Sequence, residues 1–239
     1  MGKDVRYTIA PEVFTMFPRY RRGLLLVTGV ENGASPPELV ALLRDAEASV
    51  RRTLSIDDIA ECSWVKAWRD AFKQLGVKPN EFRPSVEALA RRALRGQLLP
   101  SISKLVDIGT VVSLRRLVPV GGHALDHIKH EIQLRAASGQ ETFMPFGSQQ
   151  AERPDPGEFI FVDGNVVMTR RWVWRQAQHS ILEHDTNAVV FNIDILLDVD
   201  EATVADIASD VRELVQRFCG GKSEYYLLSR KNPSIDLSP

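Results

Sequence analysis

From Ser35 to Leu114 the apolar residues of this chain recur at helical spacing, whereas from Leu117 onward they fall mostly in short runs of strand length, with one long helical stretch near the end. That segregation constrains the fold more than any other feature. A regular βαβ winding alternates the two periods, so helices gathered early and strands gathered late predict an α+β class. The expected architecture is a mixed β-sheet core covered by helices, a layered sandwich.

Arg6–Ile9 and Gly23–Val30 read as strands, with PEVFTMFPRYRR as a loop between them; Leu24, Leu25, Leu26 and Val27 form an apolar run suited to burial on both faces. Ser35-Pro36-Pro37-Glu38 has the N-cap, first-turn proline and third-position acid of a helix start, and Leu39, Leu42, Leu43, Ala46 and Val50 follow at helical spacing. A second helix is predicted from Asp57 or Asp58, stacking Ile59, Val65, Trp68, Phe72 and Leu75 until Gly76 and Pro79 end it. A third, from Pro84, turns Val86, Leu89, Ala90 and Ala93 inward and leaves Arg91, Arg92 and Arg95 on a basic outer face. Ile102–Leu114 reads as another helix.

Shorter strands follow at Leu117–Val120, Ile132–Ala136, Phe159–Val162 and Val166–Thr169, the last two joined at an Asp163-Gly164 hairpin signal. Thr186–Leu197 and Tyr225–Leu228 complete the strands, and Glu201–Phe218 is helical, with Val204, Ile207, Val211, Leu214 and Phe218 on one side. The whole of 1–239 is expected to be a single domain, with 1–80 as a strand–helix portion and 82–230 as the portion carrying the motifs. Residues 147–157, GSQQAERPDPG, are the expected mobile loop.

With 30 basic and 31 acidic residues, a net charge of −1 and a pI near 6.5, the surface is not the basic field of a general nucleic-acid binder, so any RNA contact must come from a local patch. Cys62 and Cys219 lack paired spacing, which fits a reduced, cytoplasmic protein and two structural thiols. No segment reaches the ~18 consecutive apolar residues of a membrane span, and no signal-like start is visible. No membrane partner and no DNA partner are expected.

Chemistry concentrates in GGHALDHIKHEIQL, residues 121–134. The glycine pair suits an exposed turn that holds His123 at a pocket rim, with Asp126 close behind, and histidine is the side chain best placed to act near neutral pH. The alternative is a surface or packing histidine. His123, His127 and His130 also invite a metal reading, but there is no HExxH and the glycine pair argues for a turn at the first histidine, so neither metal nor cofactor is expected. Arg170-Arg171-Trp172-Val173-Trp174-Arg175 interleaves charge with aromatic rings. As a strand it would put both tryptophans on one face, either as a base-stacking platform or as core behind a solvated basic face. P-loop, GxGxxG, GxSxG and paired CxxC patterns are missing.

From Phe82 to Thr186 the succession of motifs resembles the B3/B4 domain of the bacterial phenylalanyl-tRNA synthetase β subunit, in the form of stand-alone B3/B4-domain proteins. The matching segments are Phe82-Arg83-Pro84-Ser85, Leu105-Val106-Asp107, Gly122-His123-Ala124-Leu125-Asp126, Leu134-Arg135, Pro156-Gly157-Glu158 and Arg171-Trp172-x-Trp174-Arg175. In that family the domain edits mischarged tyrosyl-tRNA, and His123 matches the histidine of its pocket. The resemblance implies a tRNA or aminoacyl-tRNA partner, with His123 and Asp126 as catalytic residues. It also implies substrate contacts from Asp107, Gly109, Thr110, Gly121, Gly122 and Phe191.

The chain departs from the family pattern at three places. Gly109-Thr110 stand where the family has Thr-Asn, Thr169-Arg170-Arg171 replace a glycine-rich segment, and Phe191 aligns near the glutamate that reads the tyrosine hydroxyl, with Asp194 the nearest acid. An apolar residue there removes the reason to expect tyrosine preference. The leading expectation is a trans-editing aminoacyl-tRNA deacylase, with RNA contacts from Arg91, Arg92, Arg95, Arg171 and Arg175. A non-catalytic tRNA- or amino-acid-binding module and a metal-dependent hydrolase around the three histidines are the alternatives.

Overall fold

A computed structural model describes residues 4–238. Along the chain run β1 (Val5–Ile9), α1 (Pro11–Met16), β2 (Arg21–Thr28), α2 (Pro37–Thr53), α3 (Ser63–Gln74), α4 (Ser85–Leu94), α5 (Lys104–Arg116) and β3 (Val120–Ala124). They are followed by β4 (Ile132–Ala136), β5 (Phe159–Asp163), β6 (Val166–Arg170), β7 (Arg175–Gln176), β8 (Ala188–Ile195), α6 (Glu201–Phe218), β9 (Lys222–Leu228) and β10 (Ser234–Leu237). A six-stranded sheet has the order β10-β1-β4-β5-β6-β7 and a four-stranded sheet the order β3-β8-β2-β9. Among the strand pairs of the described residues β1 with β4 is parallel and the others are antiparallel, so the expected mixed α+β fold is what the chain adopts.

The two sheets stack face to face through Tyr7, Ile9, Leu134 and Phe161 of the larger and Leu24, Leu26 and Val190 of the smaller. On the other side of the smaller sheet, Leu25, Val27, Val189, Phe191 and Ile193 pack against Leu105, Ile108 and Val112 of α5 and Val204, Ile207 and Val211 of α6. Outside these, α2 and α4 bury Leu43, Ala46, Val86 and Ala90 against α5. Both faces of β2 are thus covered, which is why its apolar run does not alternate with polar residues.

Local chemistry sets the boundaries. α6 begins at Glu201 because the Asp200 carboxylate accepts the Thr203 amide at 2.8 Å. α2 begins at Pro37, and Ser35, read as its N-cap, instead gives its hydroxyl to Asp107 at 2.7 Å. α3 starts at Ser63 rather than at Asp57 or Asp58, whose stretch forms turns. Part of the loop read as PEVFTMFPRYRR is α1, which starts on Pro11, and β10 was not anticipated.

Two differences bear on function. β3 starts at Val120, so Gly121, Gly122 and His123 lie on a strand and not on an exposed turn. Arg171 and Trp172 take the left-handed region, with φ of 44° and 64°, so Arg171–Trp174 is a turn and not a strand. This places Trp172 inside, edge-on to Phe17, Tyr20, Trp68 and Phe159, while Trp174 packs on Phe82.

Candidate functional site

The edge strand β3 separates two concavities. One, about 180 Å³, opens between the stacked sheets and is lined by His123, Thr169, Phe161, Arg22, Asn192 and Asp194 among others. The second, about 310 Å³, lies between β3 and α5 and is mostly apolar, with Leu105, Val106, Gly109, Thr110, Ile181 and Leu182 in its walls and the exposed Ile102 and Phe146 at its rim. Val120, Gly121, Gly122 and Gln176 line both. Gln176 straps this ridge by donating its side-chain amide to Gly122 O at 3.0 Å and Ser180 O at 2.9 Å.

The pleat decides which residues reach the polar cavity. β3 runs antiparallel to β8 with Gly121 opposite Asn192, Gly122 opposite Phe191 and His123 opposite Val190. Asn192 and Asp194 therefore face the space between the sheets, and Phe191 faces α5, where its ring lies 3.7 Å from a Cβ built on Gly109. Phe191, expected to contact substrate, is not among the residues that line either cavity.

His123 is 5% exposed. Its Nε2 lies 3.1 Å from the Thr169 hydroxyl, and its Nδ1 has no hydrogen-bond partner among the described residues. Burial, then the charges of Arg22 and His179, push its pKa down to about 3, so the ring is neutral at physiological pH. Behind it, Arg22 and Asp194 form an ion pair whose side chains are 2% and 7% exposed. Tyr20 donates its hydroxyl to the same carboxylate oxygen, and Tyr7 donates to Asn192 Oδ1 at 3.1 Å. The guanidinium lies 3.9 Å from the centre of the Phe161 ring. Burial is the largest influence and works against the Arg22 charge, but Asp194, Tyr7 and Tyr20 together hold the group above its ordinary value.

The other sequence-predicted residues are dispersed. Gly109 and Thr110 line the apolar pocket, although the Thr110 hydroxyl is turned back to Val106 O at 2.9 Å. Asp107 is buried and holds the entry to α5, accepting from Ser35, Ser101 and the Ile102 amide, and it reaches neither cavity. β3 ends at Ala124, and the turn that follows carries Asp126 to the surface, where it accepts the Asn187 amide at 3.3 Å. Asp126 does not meet His123. The histidines also part company: His127 lies 3.9 Å from Glu183 and His130 packs on the Gly164 turn. Among the described residues no group of three His, Cys, Asp or Glu is placed to hold a metal ion.

The basic residues divide as well. Arg91 is half-buried, donating to Glu87 at 2.7 Å and Ile56 O at 3.2 Å, and Arg171 sits between Asp155 and the Phe82 ring. Arg92, Arg95 and Arg175 are exposed. Arg22, Tyr7, Tyr20, Asn192 and Asp194 were not anticipated as site residues.

The profile of the B3/4 domain matches residues 67–220 of this chain. The chain belongs to the B3/4 domain family. The match contains the whole stretch from Phe82 to Thr186 that carries the motif resemblance, but not β1 and β2, so this B3/4 chain draws Tyr7, Tyr20 and Arg22 from outside the matched region. A crystal structure of an N-terminal fragment of the phenylalanyl-tRNA synthetase β subunit from Pyrococcus horikoshii is similar at 10% identity with a TM-score of 0.48, covering 100% of this chain and 55% of that chain. No curated protein matches the chain. Among the described residues no helix is long and apolar enough to cross a membrane.

Proposed function

We propose that this B3/4 chain hydrolyses the ester of an aminoacyl-tRNA in trans. The observation that carries the reading is the Gly121–Gly122 ridge, two residues without side chains of their own that separate a small polar cavity from a larger apolar one, with Gln176 lying along both. An aminoacyl ester crossing the ridge puts its aminoacyl end beside His123 and its terminal adenosine in the apolar pocket, where the exposed Phe146 at the rim offers a stacking face.

An ester of this kind needs little covalent help. A neutral imidazole with a pKa near 3 is a poor general base, because efficient bases titrate close to the working pH. With Nε2 paired to the Thr169 hydroxyl, the neutral His123 ring instead has its Nδ1 left to make one hydrogen bond, to the attacking water or to the developing oxyanion. Exposed Arg92, Arg95 and Arg175 supply phosphate contacts.

The test is incubation of the chelator-treated protein with a panel of aminoacyl-tRNAs. Release of one or a few amino acids supports the reading. If every member survives while tRNA still binds, a binding module takes the place of the enzyme.

A further inference from the structure

The Arg22–Asp194 pair is built in a way that a purely internal salt bridge does not require. Tyr20 and Arg22 both donate to Asp194 Oδ1, and among the described residues nothing donates to Oδ2. Among the same residues Arg22 makes its hydrogen bonds through Nη1, and its buried Nε finds no partner. Each ion thus keeps unused capacity, and both line the wall of the polar cavity. A buried charge with open hydrogen-bonding positions is costly unless something completes them.

We propose that this pair is a subsite for the α-amino-acid head group: Asp194 receives the α-ammonium, and Arg22, fixed against Phe161, directs N–H donors at the adjacent carbonyl oxygen. The paired opposite charges match a group that presents a cation and a carbonyl dipole two bonds apart. A lone anion would meet Asp194, and a lone cation would meet Arg22. Tyr7 and Asn192 hold the neighbouring wall, and the glycine ridge brings the carbonyl toward His123. The subsite deepens the deacylase reading and rests on it for the identity of the ligand.

The probe is 3′-deoxy-3′-(L-alanylamino)adenosine, whose amide resists hydrolysis, measured by calorimetry beside its N-acetyl derivative. Acetylation removes the ammonium charge while keeping the rest of the molecule. The expected result is that acetylation weakens binding to the wild-type protein at least about tenfold, the scale of one charge-assisted hydrogen bond. Equal affinity for the two compounds, or no binding of either at millimolar concentration, overturns the subsite.

Asp194→Asn is the direct variant and should abolish the discrimination, but it leaves Arg22 uncompensated and can cost the fold. The double replacement Arg22→Met with Asp194→Leu removes both charges together and avoids that problem. A folded double variant that still discriminates also overturns the proposal. Deacylation on the same preparation separates the two claims. Hydrolysis that is indifferent to N-acetylation removes the subsite and keeps the enzyme, and discrimination without hydrolysis keeps the subsite and removes the enzyme.

Discussion

His123 Nε2 and the Thr169 hydroxyl, 3.1 Å apart, join the edge of the smaller sheet to the larger one across the mouth of the polar cavity. The imidazole is therefore positioned by a strand of each sheet. Thr169→Val keeps the shape of the side chain and removes this bond, so deacylation should fall roughly five- to tenfold, the net worth of one hydrogen bond. His123→Asn, which removes the imidazole itself, should cost about 10²-fold. Single-turnover rates with thermal melts on the same samples check both, and a Thr169→Val rate equal to wild type removes the positioning role.

A buried neutral histidine also predicts how stability varies with pH. In the unfolded chain this group titrates near its ordinary value of 6.5, and in the folded protein at about 3. Between these values the unfolded state binds more protons, so stability rises with pH and is lost as pH falls from about 6.5 toward 3. Arg22 and His179 are the positive groups that reinforce burial. The contribution is on the order of 1 kcal/mol per pH unit. Urea denaturation at pH 4, 5, 6 and 7 should give a shallower slope for His123→Asn than for wild type; identical slopes contradict the assignment.

Legibility followed physical locality. The Glu201–Phe218 helix was readable to the residue because Asp200 caps it through a bond three residues away. β2 was readable because both faces are apolar. β3 was not, since two glycines carry no pattern of alternation, and α1 was hidden by its six-residue length. The site divides the same way. Gly121, Gly122 and His123 are contiguous and stood out, whereas Arg22 and Asp194 lie 172 positions apart and meet only when β2 pairs with β8. A signal for the second half did exist: Asn192 and Asp194 recur with period two inside an otherwise apolar strand, marking a face that needs polar partners. Phe191, expected to contact substrate, lies one residue out of phase with Asn192 and Asp194, which in a strand is the opposite face.

The two glycines of the ridge should respond differently to substitution. A Cβ on Gly121 meets nothing within 4 Å, whereas one on Gly122 lies 2.7 Å from Leu182 Cδ1 and 3.1 Å from Val189 Cγ2. Gly121→Ala should leave stability within about 0.5 kcal/mol of wild type. Gly122→Ala should cost about 1–3 kcal/mol and weaken adenosine binding by displacing Leu182 from the apolar pocket. Melting and nucleoside titration on the two variants test this, and equal behaviour argues against the ridge.

For tRNA, the combined change of Arg92, Arg95 and Arg175 to alanine should lower affinity and flatten its salt dependence, because exposed arginines at phosphates release counterions. Arg91→Ala should act on the fold instead. It removes one of the hydrogen-bonded partners of the fully buried Glu87, leaving Arg69, and should cost about 1–3 kcal/mol. Filter binding at several salt concentrations, paired with denaturation, separates these effects. An unchanged salt slope in the triple variant removes the patch.

The most direct measurement is the rate at which catalytic amounts of protein release amino acids from a panel of aminoacyl-tRNAs, with Gly121→Phe assayed in parallel. A Cβ at this position meets nothing within 4 Å, and Gly121 lines the polar cavity that the ring is designed to block. The wild-type protein is predicted to accelerate release from at least one member, and the folded Gly121→Phe protein to lose most of that acceleration. No acceleration by wild type, or equal acceleration by both, contradicts an esterase at this cavity.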